Sequence, residues 1–415
     1  MPRSVIVCDA LPPAPRPYSY AVKAGRFVFT AGMLGFERGG AIAGATRGHA
    51  DAEAQTRQAL YNIDSALRAL GVPLANVAKV KGYLTDVRHF DGYNAAYRDV
   101  IPPPWPARIT VGAGLVRDHA IVEIEAIASA SAPPRHVRAA GLAQSRVPLS
   151  QGAEVSDVLF VSGQLSDDAK GELVGRGSMR AQAERALDNV GAILDAAGFG
   201  FADVIKITGI VPDWYGFAPY NELFMKYFTE PFPARATIQG ALALEGALIE
   251  IEATAARGLR RTVESEVPGV GHFALKRRDD TVYVRDLPGA LAPHSHAAQV
   301  GDLVYLAGEV GYDVSGRLVG PSDIRQQTRK TLENLRLCME ALGGGMDDIV
   351  KTNVTLTDDR LGPVFNEEYQ AFFTPPYPAR TTVIGGLAQD RMVIEIEAVA
   401  VLGASESAVA VVGAA

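Results

Sequence analysis

The chain has 415 residues and a net charge of −7, with both signs interspersed, so it carries no basic footprint for nucleic acid. Its apolar runs fall far short of the ~20 residues a membrane-spanning helix needs. Two cysteines, Cys8 and Cys338, cannot build a disulfide framework, and residues 1–10 lack the charged-then-apolar layout of a secretory signal, so a cytoplasmic protein is expected.

The elements of the first third can be taken in chain order. Residues 26–31 (Arg-Phe-Val-Phe-Thr-Ala) read as a strand ending at Gly32, and the Gly-rich stretch 37–45 as a lengthened hairpin tip. Residues 50–70 place apolar or small side chains at Ala52, Leu60, Ile63, Leu67 and Leu70, a helical period closed by Gly71. A strand over 77–85 ends at Asp86, which can cap the following turn. Phe90–Val100 reads as a second, shorter helix. Pro102, Pro103 and Pro104 block its continuation and deliver the chain, extended, into Trp105-Pro106-Ala107-Arg108. Strands over 109–111 and 121–128 close the unit. In the last strand Val122, Ile124 and Ala126 share one face, and Glu123 and Glu125 the other. The order ββαβαββ makes an α+β unit whose helices cover the apolar face. The glutamate face must meet water or a partner that satisfies it.

This unit occurs three times. The tetrapeptide aromatic-Pro-Ala-Arg ends at Arg108, Arg235 and Arg380, and Glu123, Glu250 and Glu395 each follow 15 residues later in a Glu-Ile-Glu strand. Gln55 and Asn62, Gln182 and Asn189, and Gln327 and Asn334 recur in step, as do Asp86, Asp213 and Asp358 and then Asn94, Asn221 and Asn366. Internal repetition of this kind sets the domain count. The expected organisation is one repeat over 1–131, a second over 132–257, a linker over 258–280, a third repeat over 281–402 and a flexible tail over 403–415.

These residues resemble the Rid family, the reactive intermediate deaminases that resolve enamines and imines. In the first copy the resemblance rests on Pro17-Tyr18, Gly25, Gly32, Asn62, Asp86, Asn94, Pro106-Ala107-Arg108 and Glu123-Ile124-Glu125-Ala126. Family members look like a single copy and assemble as homotrimers with ligand sites between subunits. The resemblance therefore implies three tandem chorismate-mutase-like domains forming an intramolecular pseudo-trimeric barrel with helices outside. Joining the copies raises their effective concentration to the millimolar order or above.

The resemblance also implies deamination of 2-imino acids to 2-keto acids and ammonia. Arg108, Arg235 and Arg380 would bind the substrate carboxylate, for which a planar fork suits bidentate capture. Glu123, Glu250 and Glu395 would hold the attacking water as general bases. No cofactor and no metal is required. Thr110, Thr237 and Thr382 stand where family members often have cysteine. The aromatic hydroxyl of the family is kept at Tyr18, while Leu149 and His294 take its place in the other copies, so the clefts are expected to have diverged and Tyr18 to serve an arginine of another repeat. Asn94, Asn221 and Asn366 either cap the short helices or line the clefts. Glu125, Glu252 and Glu397 are expected to be structural, bonded to backbone or a nearby cation, and Trp105, Phe232 and Tyr377 to pack. The bland alternative for each arginine is an ion pair with its own glutamate. His294 and His296 could share a strand face as metal ligands, but no third ligand stands nearby in sequence. A small carboxylated substrate is the expected partner, with neither nucleic acid nor membrane, and further oligomerisation open. Three functions compete: an imine or enamine deaminase, a pathway-specific hydrolase on the same scaffold, and a non-catalytic binder of carboxylated metabolites.

Overall fold

The register of the repeat is also a register of structure. The computed structural model describes residues 3–7, 11–12, 14, 16–46, 49–267, 269, 277–405 and 410–413. In the first module these form β1 (Ala21–Ala24), β2 (Phe27–Thr30), α1 (Ala52–Ala69), β3 (Val77–Leu84), α2 (Phe90–Val100), β4 (Ala107–Gly112) and β5 (Val122–Ser129). The second repeats the order as β6 (Gly152–Val155), β7 (Val158–Gln164), α3 (Met179–Ala196), β8 (Val204–Val211), α4 (Phe217–Tyr227), β9 (Ala234–Gln239) and β10 (Glu250–Ala256). The third follows with β11 (Ala297–Val300), β12 (Leu303–Leu306), α5 (Ile324–Ala341), β13 (Ile349–Leu356), α6 (Gly362–Gln370), β14 (Ala379–Ile384) and β15 (Ile394–Val401). Each sheet runs β1-β2-β5-β3-β4 or its counterpart. The glutamate strand is central and antiparallel to both neighbours, and the arginine strand lies parallel to β3 at one side.

The long helices start and stop where the sequence says they should. Asp51, Ser178 and Asp323 accept hydrogen bonds from the backbone N–H groups of Ala54, Ala181 and Gln326, which are otherwise orphaned at a helix start. At the other end Gly71, Gly198 and Gly343 turn left-handed, with φ of +72°, +75° and +80°. One face of α1, formed by Ala59, Leu60, Ile63, Ala66 and Leu67, is buried against Val122, Ile124 and Ala126 of β5. Each large side chain there contributes about 1.5–3 kcal/mol.

Three features were not anticipated or differ from expectation. A short strand precedes each module (Ser4–Val7, Arg135–Val137 and Arg260–Ser265) and adds antiparallel to β1, β6 and β11. These strands carry no repeated landmark, so register alone could not reveal them. The third lies in the stretch expected as linker, of which residues 268 and 270–276 fall outside the described residues. Within the expected tail, Ala410–Gly413 pairs in parallel with Ser4–Val7. Cys8 is also outside the described residues, whereas Cys338 is buried on α5.

The sheet faces turned away from the helices meet one another. Phe27 and Phe29, Phe160, and Tyr305 belong to one apolar cluster built from all three modules. Three equivalent backbone hydrogen bonds join the modules: Ser19 N–H to Pro378 O at 3.1 Å, Ser150 N–H to Pro106 O at 3.1 Å, and Ser295 N–H to Pro233 O at 3.2 Å. The third module thus meets the first as the first meets the second, and the chain makes a ring of three seams. Among the described residues no helix is long and apolar enough to cross a membrane.

Candidate active site

The arginines sit in β4, β9 and β14 beneath the short helices. Asp86, Asp213 and Asp358 cap the turn ahead of each helix by accepting from the N–H of Arg88, Tyr215 and Arg360. This fixes the helix so that an aromatic pair four residues apart faces the guanidinium. Arg108 lies 5.2 and 4.9 Å from the ring centres of Tyr93 and Tyr97, Arg235 4.3 and 4.6 Å from Tyr220 and Phe224, and Arg380 5.0 and 4.8 Å from Phe365 and Tyr369. Such faces stabilise a desolvated cation. One edge of the fork is fixed: Arg108 Nη2 donates to Asn94 Oδ1 and Arg380 Nη2 to Asn366 Oδ1, both at 2.8 Å. The second module differs, for Arg235 Nε donates to Thr237 Oγ1 at 3.3 Å and Asn221 Oδ1 is buried without a partner. Thr110 and Thr382 are buried beside their arginines in the same strands, and Thr110 Oγ1 has no partner.

All three guanidinium groups are 2–4% exposed, yet none forms a salt bridge among the described residues. Arg108 Nε and Nη1, Arg235 Nη1 and Nη2, and Arg380 Nη1 have no hydrogen-bond partner. Burial depresses Arg235 and lowers Arg380 to about 10. The alternative of an ion pair between each arginine and its own glutamate does not occur.

Each arginine faces the next module. Arg108 and Thr110 share a cavity of about 290 Å³ with Leu149, Gly163 and Glu250. Arg235 and Thr237 share one of about 90 Å³ with His294, Gly308 and Glu395. At the third seam the Arg380 carbonyl accepts from Gly32 N–H at 3.2 Å, the Tyr18 ring centre lies 5.7 Å from the guanidinium, and the charge of Arg380 acts on Glu123.

The position of the glutamates explains several repeated landmarks. Gln55, Gln182 and Gln327 accept from the N–H of Ile121, Leu248 and Val393, two residues before each glutamate, and so set the strand. Asn62, Asn189 and Asn334 each donate to a pair of loop carbonyls, such as Leu34 O and Phe36 O, and hold the loop that follows Gly32 or its counterpart. The carboxylates of Glu123, Glu250 and Glu395 fold directly over Gly32, Gly163 and Gly308, where an added Cβ would overlap Oε1. Burial pushes all three glutamates up to about 8, and the second glutamate of the same strand adds to the shift.

Those second glutamates point to the axis of the ring. Lys351 Nζ lies 2.8 Å from Glu125, Lys79 Nζ 3.0 Å from Glu252, and Lys206 Nζ 2.7 Å from Glu397, each lysine coming from the preceding module. Burial alone would raise Glu125 and Glu252, but the facing ammonium groups outweigh it and hold both below the ordinary carboxylate range.

The seams differ in chemistry. His296 Nδ1 is 2.6 Å from Glu309 Oε1, its Nε2 is 3.0 Å from Pro288 O, and both residues reach the cavity of the second seam. Burial alone would lower His296, but the contact with Glu309 outweighs it and raises the group to about 9, so the ring is held as imidazolium at neutral pH. Gln151 and Gln164 hold these positions in the first seam, and Tyr20 and Met33 in the module core beside the third. Cys338 joins His296 and Glu309 with ligand atoms within 4.8 Å of one another, a grouping that sequence proximity could not reveal. Both imidazole nitrogens are engaged within the protein, and burial pushes the thiol up. Trp105, Phe232 and Tyr377 pack into the three module cores.

Sequence reasoning missed the aromatic pairs under the guanidinium groups and the axial lysines. Both carry a signal: Lys79, Lys206 and Lys351 recur at the repeat's own spacings of 127 and 145 residues.

The family model described as Endoribonuclease L-PSP matches residues 9–130, 142–257 and 284–402. A 2-iminobutanoate/2-iminopropanoate deaminase of Bos taurus is 42% identical over 112 residues, 27% of this chain and 81% of that protein. A RutC family protein of Pyrococcus horikoshii is 41% identical over 109 residues, 26% of this chain and 86% of that protein. Among solved structures a chorismatase covers 79% of this chain and 93% of its own at a TM-score of 0.55 and 14% identity, a likeness of fold alone.

Proposed function

We propose that this chain, which belongs to the Endoribonuclease L-PSP or Rid family as three tandem copies, is a hydrolytic deaminase of small 2-imino acids and their enamine tautomers. The observation that carries this reading is a buried guanidinium with unpartnered N–H groups and no carboxylate counter-ion, facing a glutamate of the next module across a cavity. A buried cation left without a counter-charge is strongly unfavourable, so the site is built for an anion that arrives from outside. The deaminases named among the relatives act on 2-iminobutanoate and 2-iminopropanoate, each of which carries one carboxylate.

In this reading Arg108, Arg235 and Arg380 grip the carboxylate, assisted by Asn94 and Asn366, which orient the fork. Thr110, Thr237, Thr382 and, at the third seam, Tyr18 line the site. Asn221 supplies its free carbonyl at the second seam. Glu123, Glu250 or Glu395 holds a water against the imine carbon. The water oxygen bonds to that carbon while the carboxylate takes a proton. The tetrahedral carbinolamine then receives that proton on nitrogen, the regenerated carboxylate takes the hydroxyl proton as the C–N bond breaks and the C=O forms, and 2-keto acid and ammonia leave. An acid near 8 can serve in both directions at neutral pH, where both of its forms are populated. A cationic iminium in the site further favours the ionised form needed for the first step.

The test is release of keto acid and ammonia from 2-iminobutanoate or 2-aminoacrylate generated in situ. A rate no higher than buffer with every such substrate defeats the proposal. Retention of keto-acid affinity by a protein that never accelerates hydrolysis would identify a binder.

A further inference from the structure

Where the three sheets meet, a cavity of about 60 Å³ is lined by Lys79, Lys81, Lys206, Lys351 and by Glu125, Glu252 and Glu397. Three of the four lysines form the repeated pairs already described, one per seam, and these pairs cancel. Lys81 has no such counterpart. The repeat places Thr208 and Asn353 at the equivalent positions, so one module alone adds a cation to the axis.

Lys81 is 6% exposed and has three N–H donors, yet among the described residues its one hydrogen bond is a long contact of 3.4 Å to Glu252 Oε1. That carboxylate is already opposed by Lys79, and its Oε2 meets Lys79 as a charge contact without hydrogen-bond geometry. The Tyr83 ring centre lies 5.7 Å from the Lys81 ammonium, and Glu125 and Glu397 act on it only through their charge, without a hydrogen bond to it among the described residues. By contrast, Lys351 donates to Thr30 O at 2.9 Å and Thr381 Oγ1 at 2.6 Å besides its glutamate, and Lys206 to Leu306 O at 2.9 Å. Four ammonium groups against three carboxylates leave a single positive charge in this space, and Lys81 is the one ammonium of the four that the repeat does not match with a carboxylate of its own. An uncompensated buried charge is costly, and a mobile counter-ion removes that cost.

We propose that the axial cavity is a binding site for one small monovalent anion of the halide class, held by Lys81. A single negative charge balances the lining. A phosphate or sulfate would bring surplus charge against Glu125, Glu252 and Glu397, so the site discriminates against polyanions. The cavity holds at least one water-sized body, since it exceeds the ~10–15 Å³ such a body needs. The proposed catalytic clefts play no part in this site, and it stands whether or not the deaminase reading does.

Bromide is the probe. Crystals of the full chain grown or soaked in sodium bromide should show an anomalous peak in the axial cavity within hydrogen-bond reach of Lys81 Nζ. In solution the wild-type Tm should rise with sodium chloride or bromide relative to sodium gluconate at matched ionic strength, as expected for a ligand that binds only the folded state. K81T, which installs the residue of the second module, should lose both the peak and the halide-specific rise. No peak in the wild type, a peak without any halide-specific Tm shift (an adventitious ion only), or an equal shift in K81T would each overturn the proposal. Should K81T not fold, K81N replaces it with the residue of the third module, and the wild-type bromide map decides by itself.

Discussion

Arg108 faces Glu250, not Glu123, although Glu123 lies only 15 residues further along its own module. The same displacement by one module joins Arg235 to Glu395 and Arg380 to Glu123. A clean double-substitution experiment follows. R108A combined with E250Q should leave two clefts intact, whereas R108A combined with E123Q should leave one. Initial deaminase rates of the two variants should therefore differ, with the second lower. Equal rates would contradict the seam assignment.

Replacing Glu123, Glu250 and Glu395 together by Gln should lower kcat about 10²- to 10⁴-fold, the usual worth of a positioned acid–base group. Affinity for an unreactive 2-keto acid, measured by calorimetry, should stay within a few-fold of the parent. Arg→Lys at all three forks should do the opposite. Losing one charge-assisted bond removes about 1.5–3 kcal/mol, so keto-acid affinity should fall roughly 10- to 100-fold.

The raised carboxyls also make a stability prediction. Glu123, Glu250 and Glu395 remain protonated in the native state up to about 8, whereas in the unfolded chain they ionise near their ordinary 4.5. Between those values the native state binds more protons, so stability must fall as pH rises, by up to roughly 1.4 kcal/mol per pH unit for each proton of difference. His296, raised to about 9, adds a loss of the same sign above its unfolded value of 6.5. Denaturant titrations across this range should show the slope, and the triple Glu→Gln variant should flatten it below pH 6.5. Activity should move the other way, rising toward pH 8 as the general base ionises.

His296 and Glu309 offer a double-mutant cycle. H296Q or E309Q alone leaves a charge buried without its partner and should cost about 3–5 kcal/mol. The double variant installs the Gln pair that the second module carries at Gln151 and Gln164, and should recover much of that loss. Chemical denaturation of the four proteins measures the coupling; strict additivity would mean that the two side chains do not depend on each other.

The parts of the fold that were legible are those decided locally. Asp51 before an apolar period, Gly71 after it, and the alternation of Val122, Glu123, Ile124 and Glu125 each act within a few residues. Their outcome in one copy could be checked against two others. The leading strand Ser4–Val7 and its counterparts were not legible, because short edge strands carry no period of their own. Nor was Lys81 distinguishable from a solvated lysine. Its meaning depends on three sheets converging, and an alternating strand looks the same whether its polar face meets water or a sister sheet. Nothing in the sequence sets the aromatic pairs Tyr93 and Tyr97, Tyr220 and Phe224, and Phe365 and Tyr369 apart from ordinary helix-face packing. Only the position of the arginine strand beneath them turns that packing into a cradle for a cation.

The bond from Ser19 N–H to Pro378 O is where the first module meets the third. In a ring of identical subunits one codon change alters every seam at once, for better or worse. Here Tyr18, Leu149 and His294 can drift apart, because each belongs to its own stretch of gene and serves one seam. Each pocket can therefore change its lining without altering the other two.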